Sequence, residues 1–244
     1  MRQAAAADGL LLRPVGEDAL LVEADSAERV GALYAELLAR RAELPEVAEI
    51  VPAARTVLLD GIADRAALAR VLAGWSVPAR PPAVGPLVEV PTVYDGPDLA
   101  EVAQLWGVPV AEAVRIHSSA EYRVAFCGFA PGFGYLTGLP ARYEVPRRAT
   151  PRSSVPTGSV ALAGPYTGVY PRSSPGGWQL IGRTELPLWE AGREPTALLA
   201  PGVRVRFVAV DSGSGPGGSG HTGSGHVDSG HAGSGPGGSG QSGG

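Results

Sequence analysis

Arginines are the side chains of this sequence best suited to binding chemistry. Arg147, Arg148 and Arg152 lie within six residues of one another, and Arg183 follows later in the same stretch. A guanidinium group is always charged and holds carboxylates or phosphates through its N–H donors. We predict that at least two of the four face one cleft as anion ligands, with Arg148 as the catalytic member. The alternative is that they are surface arginines paired with acids of a partner protein.

These arginines belong to a stretch that is rich in glycine and proline. Between Gly128 and Thr184 the sequence has ten Gly, eight Pro and six Arg but one acid, Glu144, whereas the whole chain has a formal charge of −4. Glycine lets backbone amides approach a ligand closely, and proline fixes the loops that carry them. The stretch therefore suits an anion, although the tight turns of an all-β domain would explain the same composition.

Glycine-rich segments supply further candidate ligands. The loop Gly128–Gly134 offers amides beside Phe129 and Phe133, for which core packing is the alternative, and the turns at 158–159 and 174–177 offer more amides and hydroxyls. The predicted substrate- or anion-binding residues are Phe129, Pro131, Gly132, Arg147, Thr150, Arg152, Gly158, Ser159, Tyr170, Ser174, Gly176, Gly177 and Arg183.

His117 is the one histidine ahead of the C-terminal tail, which makes it the candidate for general acid–base catalysis. It lies at the end of a predicted helix, where a histidine also serves as a structural cap, and both possibilities stay open. A nucleophilic role for Cys127 with His117 as its base is rejected, because Cys127 lies in an apolar run and no third orienting group is evident. The sequence has no metal-ligand cluster and no phosphate-binding GxxxxGK motif.

Composition excludes several classes of protein. One cysteine rules out an intrachain disulfide and a cysteine-based zinc site, which suits the cytoplasm. No apolar run approaches 18 residues, and Asp8 ahead of three leucines makes the N-terminus a poor signal peptide. All 20 basic residues are arginine, so lysine Schiff-base chemistry is impossible. We predict a cytoplasmic protein with no membrane or nucleic-acid partner, since the pI is about 5.6 without a basic cluster.

Residues 1–80 are predicted to form a small α/β domain. Short apolar runs on either side of a turn at 16–18 indicate a hairpin, and apolar residues at helical spacing indicate two helices, which Ser26 and Asp64 can cap. The order ββαββα indicates a small sheet with helices on one face. The predicted elements are a hairpin over Leu10–Val15 and Ala19–Ala24, helices over Ala27–Glu43 and Asp64–Leu72, and strands over Val47–Val51 and Thr56–Leu59.

A second domain, residues 87–210, follows a linker at Trp75–Pro86 that holds four prolines. Two short helices precede a series of strands punctuated by turns, a rhythm that indicates an antiparallel barrel or sandwich. The predicted helices are Asp98–Trp106 and Pro109–Ser118. The predicted strands are Leu87–Tyr94, Tyr122–Gly128, Val160–Ala163, Val169–Tyr170, Trp178–Ile181 and Val203–Val210, the last with Val203, Val205, Phe207 and Ala209 on one face.

A glycine- and serine-rich tail, residues 211–244, ends the chain. The segment GSGPGGSG occurs at 213–220 and again at 233–240. We predict disorder, because the tail has almost no apolar side chains to bury. His221, His226 and His231 are spaced five residues apart; weak metal binding is the alternative to simple flexible-tail histidines.

Four motifs in fixed order carry a resemblance to a known family. They are GFAPGFGYL, PRRATPR, VPTGSVALAG and YPRSSPGGWQLIGRT. Together they resemble the family of the 5-oxoprolinase B subunit, whose members are also called allophanate hydrolase subunit 1 or the sporulation kinase inhibitor KipI. The resemblance covers about residues 10–210 and is strongest over 87–190, and the tail lies outside it.

The resemblance implies an α+β chain, in which a small N-terminal α/β domain precedes a cyclophilin-like antiparallel β-barrel domain. It also implies one subunit of an ATP-dependent enzyme, 5-oxoprolinase, that opens 5-oxo-L-proline to L-glutamate together with its A and C subunits. ATP, with Mg²⁺, is then expected at a site shared with those subunits. The alternatives are a regulatory inhibitor of a sporulation-type histidine kinase and a subunit acting on allophanate- or urea-type amides, since a fold does not fix a substrate.

Overall fold

The structure is a computed structural model that describes residues 4–5, 10–77 and 85–211. The predicted disorder of the tail, from residue 212 onward, lies outside the described residues. So do His221, His226 and His231, and most of the proline-rich part of the linker.

An antiparallel sheet of five strands and two helices make up the first part of the chain; the ββαββα pattern predicts both helices and four of these strands, and one short further strand precedes them. Its elements are β1 (Ala4–Ala5), β2 (Leu11–Val15), β3 (Ala19–Glu23), α1 (Ala27–Ala39), β4 (Glu49–Pro52), β5 (Thr56–Asp60) and α2 (Arg65–Ala73). The strand order is β1-β2-β3-β5-β4. Ser26 and Asp64 cap the two helices, because their side chains accept hydrogen bonds from the backbone N–H groups of Arg29 and Ala67.

Helix α1 ends four residues earlier than predicted, and one 3₁₀ turn, Arg41–Glu43, follows it. Here the Arg41 guanidinium donates to the carbonyls of Val47 and Ala48 and so fastens the turn to the chain leading into β4. The buried face of α1 consists of Val30, Leu33 and Leu37. These residues belong to a first hydrophobic core with apolar residues of β2, β3, β5 and α2.

The second part of the chain is a seven-stranded sheet that is nearly closed into a barrel. Its strands are β6 (Leu87–Thr92), β7 (Tyr122–Cys127), β8 (Gly134–Thr137), β10 (Ser159–Ala163), β11 (Tyr166–Val169), β13 (Gln179–Arg183) and β14 (Arg204–Ala209). The order is β13-β10-β11-β8-β7-β14-β6. Val93 and Arg183 join the two edges through a pair of backbone hydrogen bonds of 2.9 Å. The predicted α+β class with a barrel is confirmed.

The barrel departs from the predicted antiparallel arrangement at one pair. The first strand of the barrel, β6, and the last, β14, run in the same direction and pair in parallel. Val90 lies opposite Phe207 and both are buried, which fixes the register. On the predicted common face of the last strand, Val203, Val205 and Phe207 are buried, whereas Ala209 at its end is exposed.

Helices α3 (Leu99–Leu105) and α4 (Val110–Ser119) lie between β6 and β7. Helix α3 contacts β13 and α4 contacts β14. Strands β8, β9 (Arg152–Val155) and β12 (Ser174–Gly176) were not predicted, because their segments lack a regular apolar alternation. Strands β9 and β12 pair as a separate two-stranded ribbon. In the described ranges no helix is long and apolar enough to cross a membrane.

Candidate functional site

Two of the four predicted arginines meet at one buried carboxylate. The Arg148 Nη1 atom lies 2.6 Å and the Arg152 Nη2 atom 2.8 Å from Oδ1 of Asp98, whose side chain is 4% exposed. We call Asp98, Arg148 and Arg152 the arginine corner. The structure therefore pairs both arginines with an acid of their own chain, whereas the alternative stated above was pairing with acids of a partner protein.

Backbone contacts fix the arginine corner in place. The Leu180 amide donates to Asp98 Oδ2 at 2.7 Å, and the Asp98 amide donates to the Leu180 carbonyl at 3.0 Å. The Arg148 amide donates to the carbonyl of Gly177 at 2.8 Å. The corner is therefore fastened to β13 and to the segment that follows β12, and the barrel determines the position of both guanidinium groups.

Asp98 is a site residue that the sequence did not reveal. The pattern placed it at the start of a helix, and it does occupy the N-cap position of α3. Its carboxylate makes no capping hydrogen bond and instead binds Arg148, Arg152 and the Leu180 amide. An acid ahead of a helix is ordinarily read as a cap, and these partners are 50 to 82 residues away in sequence.

The corner and its surroundings retain a net positive charge. Glu101 is the second acid, with its Oε2 atom 3.8 Å from Arg148 Nη1. Three arginines, with Arg147 included, against two acids leave a formal balance of +1. Arg147 is exposed, and no ion pair to it is found among the described residues. The Arg148 Nε and Arg152 Nη1 atoms are buried without a hydrogen-bond partner in the described part of the chain.

Aromatic side chains form a second feature, which we call the aromatic shelf: Phe129, Phe133, Tyr170 and Trp178. The Phe133 ring lies edge-to-face at 5.4 Å from both Tyr170 and Trp178, and all three are buried. Phe129 packs edge-to-face on Phe133 at 5.3 Å but is 58% exposed. The shelf is thus a buried floor of three rings that presents the exposed ring of Phe129.

Phe129 also has an unusual backbone conformation. Its φ angle is +66°, in the left-handed region that residues with a β-carbon rarely adopt. Hydrogen bonds from the Ala130 amide to the Gly128 carbonyl and from the Phe133 amide to the Ala130 carbonyl hold this turn. Strain of this kind is concentrated at functional positions, and here it accompanies an exposed aromatic ring.

Tyr170 connects the aromatic shelf to the arginines. Burial raises the pKa of Tyr170, and the nearby positive charges of Arg147 and Arg152 partly offset that effect. A β-carbon added at Gly176 would lie 2.3 Å from the Tyr170 hydroxyl oxygen, so glycine is required for β12 to lie against this ring. Tyr170 is therefore a buried part of the shelf rather than an exposed ligand.

Several predicted binding residues have local structural contacts instead. The Gly158 amide donates to the Tyr170 carbonyl, and a β-carbon at Gly158 would lie 2.1 Å from the Thr184 carbonyl oxygen. Ser159 is buried and its hydroxyl donates to the Pro156 carbonyl at 2.8 Å. Gly132 packs against the 188–189 segment, Ser174 is buried, and Pro131, Thr150 and Gly177 remain on the surface or partly buried.

Arg183 does not share the carboxylate of the arginine corner. Its Nε atom lies 2.9 Å from Oδ2 of Asp95, and both side chains are about half exposed. Asp95 and Asp98 lie in the same connection between β6 and α3. That connection therefore carries two acids, one in an exposed pair and one in a buried cluster.

His117 lies in the barrel core and not at this surface. It is 1% exposed, its ring centroid is 4.6 Å from that of Phe207, and its Nδ1 atom lies 2.7 Å from the Tyr94 hydroxyl oxygen. Burial lowers the pKa of His117 to about 3, so the imidazole is neutral near pH 7. The expectation of an acid–base role is corrected accordingly, because a substrate cannot contact an enclosed ring.

Cys127 has the features of a packed thiol. Its Sγ atom donates to the Leu199 carbonyl at 3.0 Å, and burial raises its pKa to about 11. A thiol of that pKa is protonated at neutral pH, whereas the nucleophile in cysteine chemistry is the thiolate, so the structure agrees with a packing role for Cys127. Within the described ranges, no group of three histidine, cysteine or acidic side chains is arranged to hold a metal ion.

Comparisons with known proteins place this architecture in a family. The family model for the carboxyltransferase domain, subdomain C and D, matches residues 10–199. The 5-oxoprolinase B subunit of Escherichia coli O157:H7 is 41% identical over 212 residues, which cover 82% of this chain and 95% of that protein. The Bacillus subtilis (strain 168) protein of the same name is 48% identical over 127 residues, covering 51% of this chain and 53% of that protein.

Solved structures agree with the fold. The structure of TTHA0988 is similar with a TM-score of 0.66 and 35% identity, over 81% of this chain and 41% of that one. The Kluyveromyces lactis urea carboxylase matches with a TM-score of 0.64 at 18% identity, over 86% of this chain and 23% of that one, which is a likeness of fold alone. From the family model and the E. coli relative, the chain belongs to the family of the 5-oxoprolinase B subunit.

Proposed function

We propose that this chain is the B subunit of an ATP-dependent 5-oxoprolinase that opens 5-oxo-L-proline to L-glutamate together with its A and C subunits. The observation that carries the proposal is the match along 95% of the E. coli 5-oxoprolinase B subunit. The net positive surface around the arginine corner supports it, because the substrate has a carboxylate and the reaction moves a phosphoryl group. We propose that the cytoplasm is the site of this reaction.

The chemistry assigns distinct roles to the residues of this surface. A lactam is unreactive toward water, and transfer of a phosphoryl group from ATP to the lactam oxygen would activate the ring carbon. Water adds to that carbon, the ring C–N bond breaks with the proton going to the nitrogen, and a second water then hydrolyses the acyl phosphate and releases phosphate. Guanidinium groups held by the protein can neutralise the negative charge that accumulates around the lactam oxygen. We assign that role to Arg148 and Arg152 because the barrel fixes their positions. Arg147 is exposed and can bind the substrate carboxylate.

The exposed ring of Phe129 completes the proposed contacts. The substrate has a five-membered ring with apolar methylene groups, which an aromatic face can cover and shield from water. Phe129 packs on the buried Phe133 and therefore presents its ring from a rigid base. The guanidinium donors of the corner fit a phosphate chemically. The remaining ligands of ATP and Mg²⁺ are assigned to the partner subunits.

Reconstitution tests the proposal. Purified A and C subunits, mixed with this chain, 5-oxoproline, ATP and Mg²⁺, are expected to release L-glutamate and ADP. Mixtures that lack this chain are expected to release none. Glutamate is measured by amino-acid analysis and assembly by size-exclusion chromatography. An assembled complex without glutamate release would contradict the proposed substrate, and release of ammonia from an allophanate- or urea-type amide would identify the alternative.

A further inference from the structure

We propose that Asp98 is a positioning residue that acts as an internal anion: it holds Arg148 and Arg152 in place and competes with the phosphoryl group of the reaction for them. The turnover part of this inference rests on the proposed function, while its binding part does not. Asp98 lies outside the set of residues whose types suggested anion binding, and its role follows from the geometry of the corner.

The two carboxylate oxygens of Asp98 have different partners. An arginine–carboxylate pair is commonly bidentate, with two parallel N–H···O bonds. Here Oδ2 accepts from the Leu180 amide, so both guanidinium groups share Oδ1. Each arginine reaches the carboxylate through one nitrogen atom. Apart from Arg148 Nε and Arg152 Nη1, which are buried, the remaining donors of these two partly exposed guanidinium groups can bind a second anion beside Asp98.

The charge balance of the corner and its surroundings is positive. Three guanidinium groups, with Arg147 included, against the carboxylates of Asp98 and Glu101 leave a surplus of one positive charge. The exposure of Arg148 and Arg152, 31% and 24%, lets solutes approach them. The exposed Asp95–Arg183 pair in the same connection is one-to-one and has no such surplus. An anion that approaches the corner gains from the surplus, and its gain is reduced by the charge of Asp98.

The substitution Asp98→Asn cannot keep all the hydrogen bonds that the carboxylate accepts. Both Asp98 oxygens accept hydrogen bonds, whereas an asparagine has one acceptor oxygen and one NH₂ donor. Asp98→Asn must therefore turn a donor toward either the Leu180 amide or the two guanidinium groups. In either orientation the arginines lose a negatively charged partner and part of their fixed position.

The two consequences have opposite directions, which separates this role from a merely structural one. Loss of the internal charge is expected to make the isolated Asp98→Asn chain bind inorganic phosphate at least about threefold more tightly, measured by calorimetry. Because Arg148 and Arg152 are then held less firmly, the same variant is expected to lower turnover of the reconstituted complex at least about tenfold. The matched control Asp95→Asn, on the same connection, is expected to stay within about twofold of wild type in phosphate affinity.

The proposal is overturned if Asp98→Asn binds phosphate with unchanged or weaker affinity. It is also overturned if the wild-type complex is active and the Asp98→Asn complex has the same turnover. If no version, wild type included, releases glutamate, the proposed function fails and the phosphate measurement still decides the role of Asp98. Should Asp98→Asn fail to fold, Arg152→Met decides in its place. It is expected to weaken phosphate binding at least about threefold, whereas Arg204→Met, which breaks an exposed pair with Glu121, is not; equal effects overturn the proposal.

Discussion

Replacing both Arg148 and Arg152 with methionine is expected to lower the free energy of unfolding by about 2–4 kcal/mol at pH 7. The double variant leaves the Asp98 carboxylate, which is 4% exposed, with the Leu180 amide as its remaining hydrogen-bond donor. A buried charge without a counterion is costly, because its lost hydration is no longer offset. The expected loss lies below that for a fully buried pair, because the guanidinium groups are partly exposed.

Urea unfolding of the isolated chain, followed by circular dichroism, measures this effect. Adding Asp98→Asn to the double variant is expected to recover at least half of the loss, because a neutral amide needs no counterion and its oxygen can still accept from Leu180. Arg204→Met, which breaks the exposed pair with Glu121, serves as the control and is expected to change stability far less. A double variant as stable as the control would show that Asp98 does not depend on its two arginines.

His117 is expected to make the protein less stable below about pH 6.5. The pKa of His117 is about 3 in the folded chain because of burial, whereas an unfolded chain has the ordinary value. Between these values the unfolded state binds a proton that the folded state does not, so stability falls with decreasing pH. The slope is about 1.4 kcal/mol per pH unit, or about 2 kcal/mol between pH 6.5 and pH 5. Above the unfolded pKa, both states are neutral and the effect vanishes.

Comparison with His117→Asn isolates this contribution. Asparagine can accept a hydrogen bond from the Tyr94 hydroxyl in place of Nδ1 and does not titrate. The variant is expected to be less stable at pH 7.5, because it fills the space between Tyr94, Tyr122 and Phe207 less well, but to lose less stability on acidification. Urea unfolding at several pH values gives both slopes. Parallel slopes for wild type and variant would contradict the assignment of His117 as the titrating group.

The sequence predicted those parts of the fold that have a clear local apolar pattern. Short apolar runs beside a turn signal predicted β2 and β3, and helical spacing predicted α1 and α2, to within a few residues. The short strands β9 and β12 have polar, glycine or proline residues at most positions, so nothing in their own sequences indicates a strand. They exist because they pair with each other beside the barrel.

The candidate site was predicted in part for a similar reason. Residue type and local spacing were enough to single out Arg148 and Arg152. Asp98 was missed as their partner, because a contact across 50 residues leaves no local pattern. The true environment of His117 did leave one, since Ala113 and His117 are four residues apart and both face the core from α4. A histidine on the apolar face of a helix is more often packed than catalytic.

Arg148→Ala tests most directly whether the arginine corner acts on the substrate of the proposed enzyme complex. The variant is assembled with the A and C subunits and assayed for glutamate release from 5-oxoproline and ATP. We expect turnover to fall at least about 100-fold while the complex elutes as wild type does. Wild-type turnover by an intact complex, or loss of activity solely because the subunits no longer assemble, would contradict that proposal and would assign Arg148 to the protein interface instead.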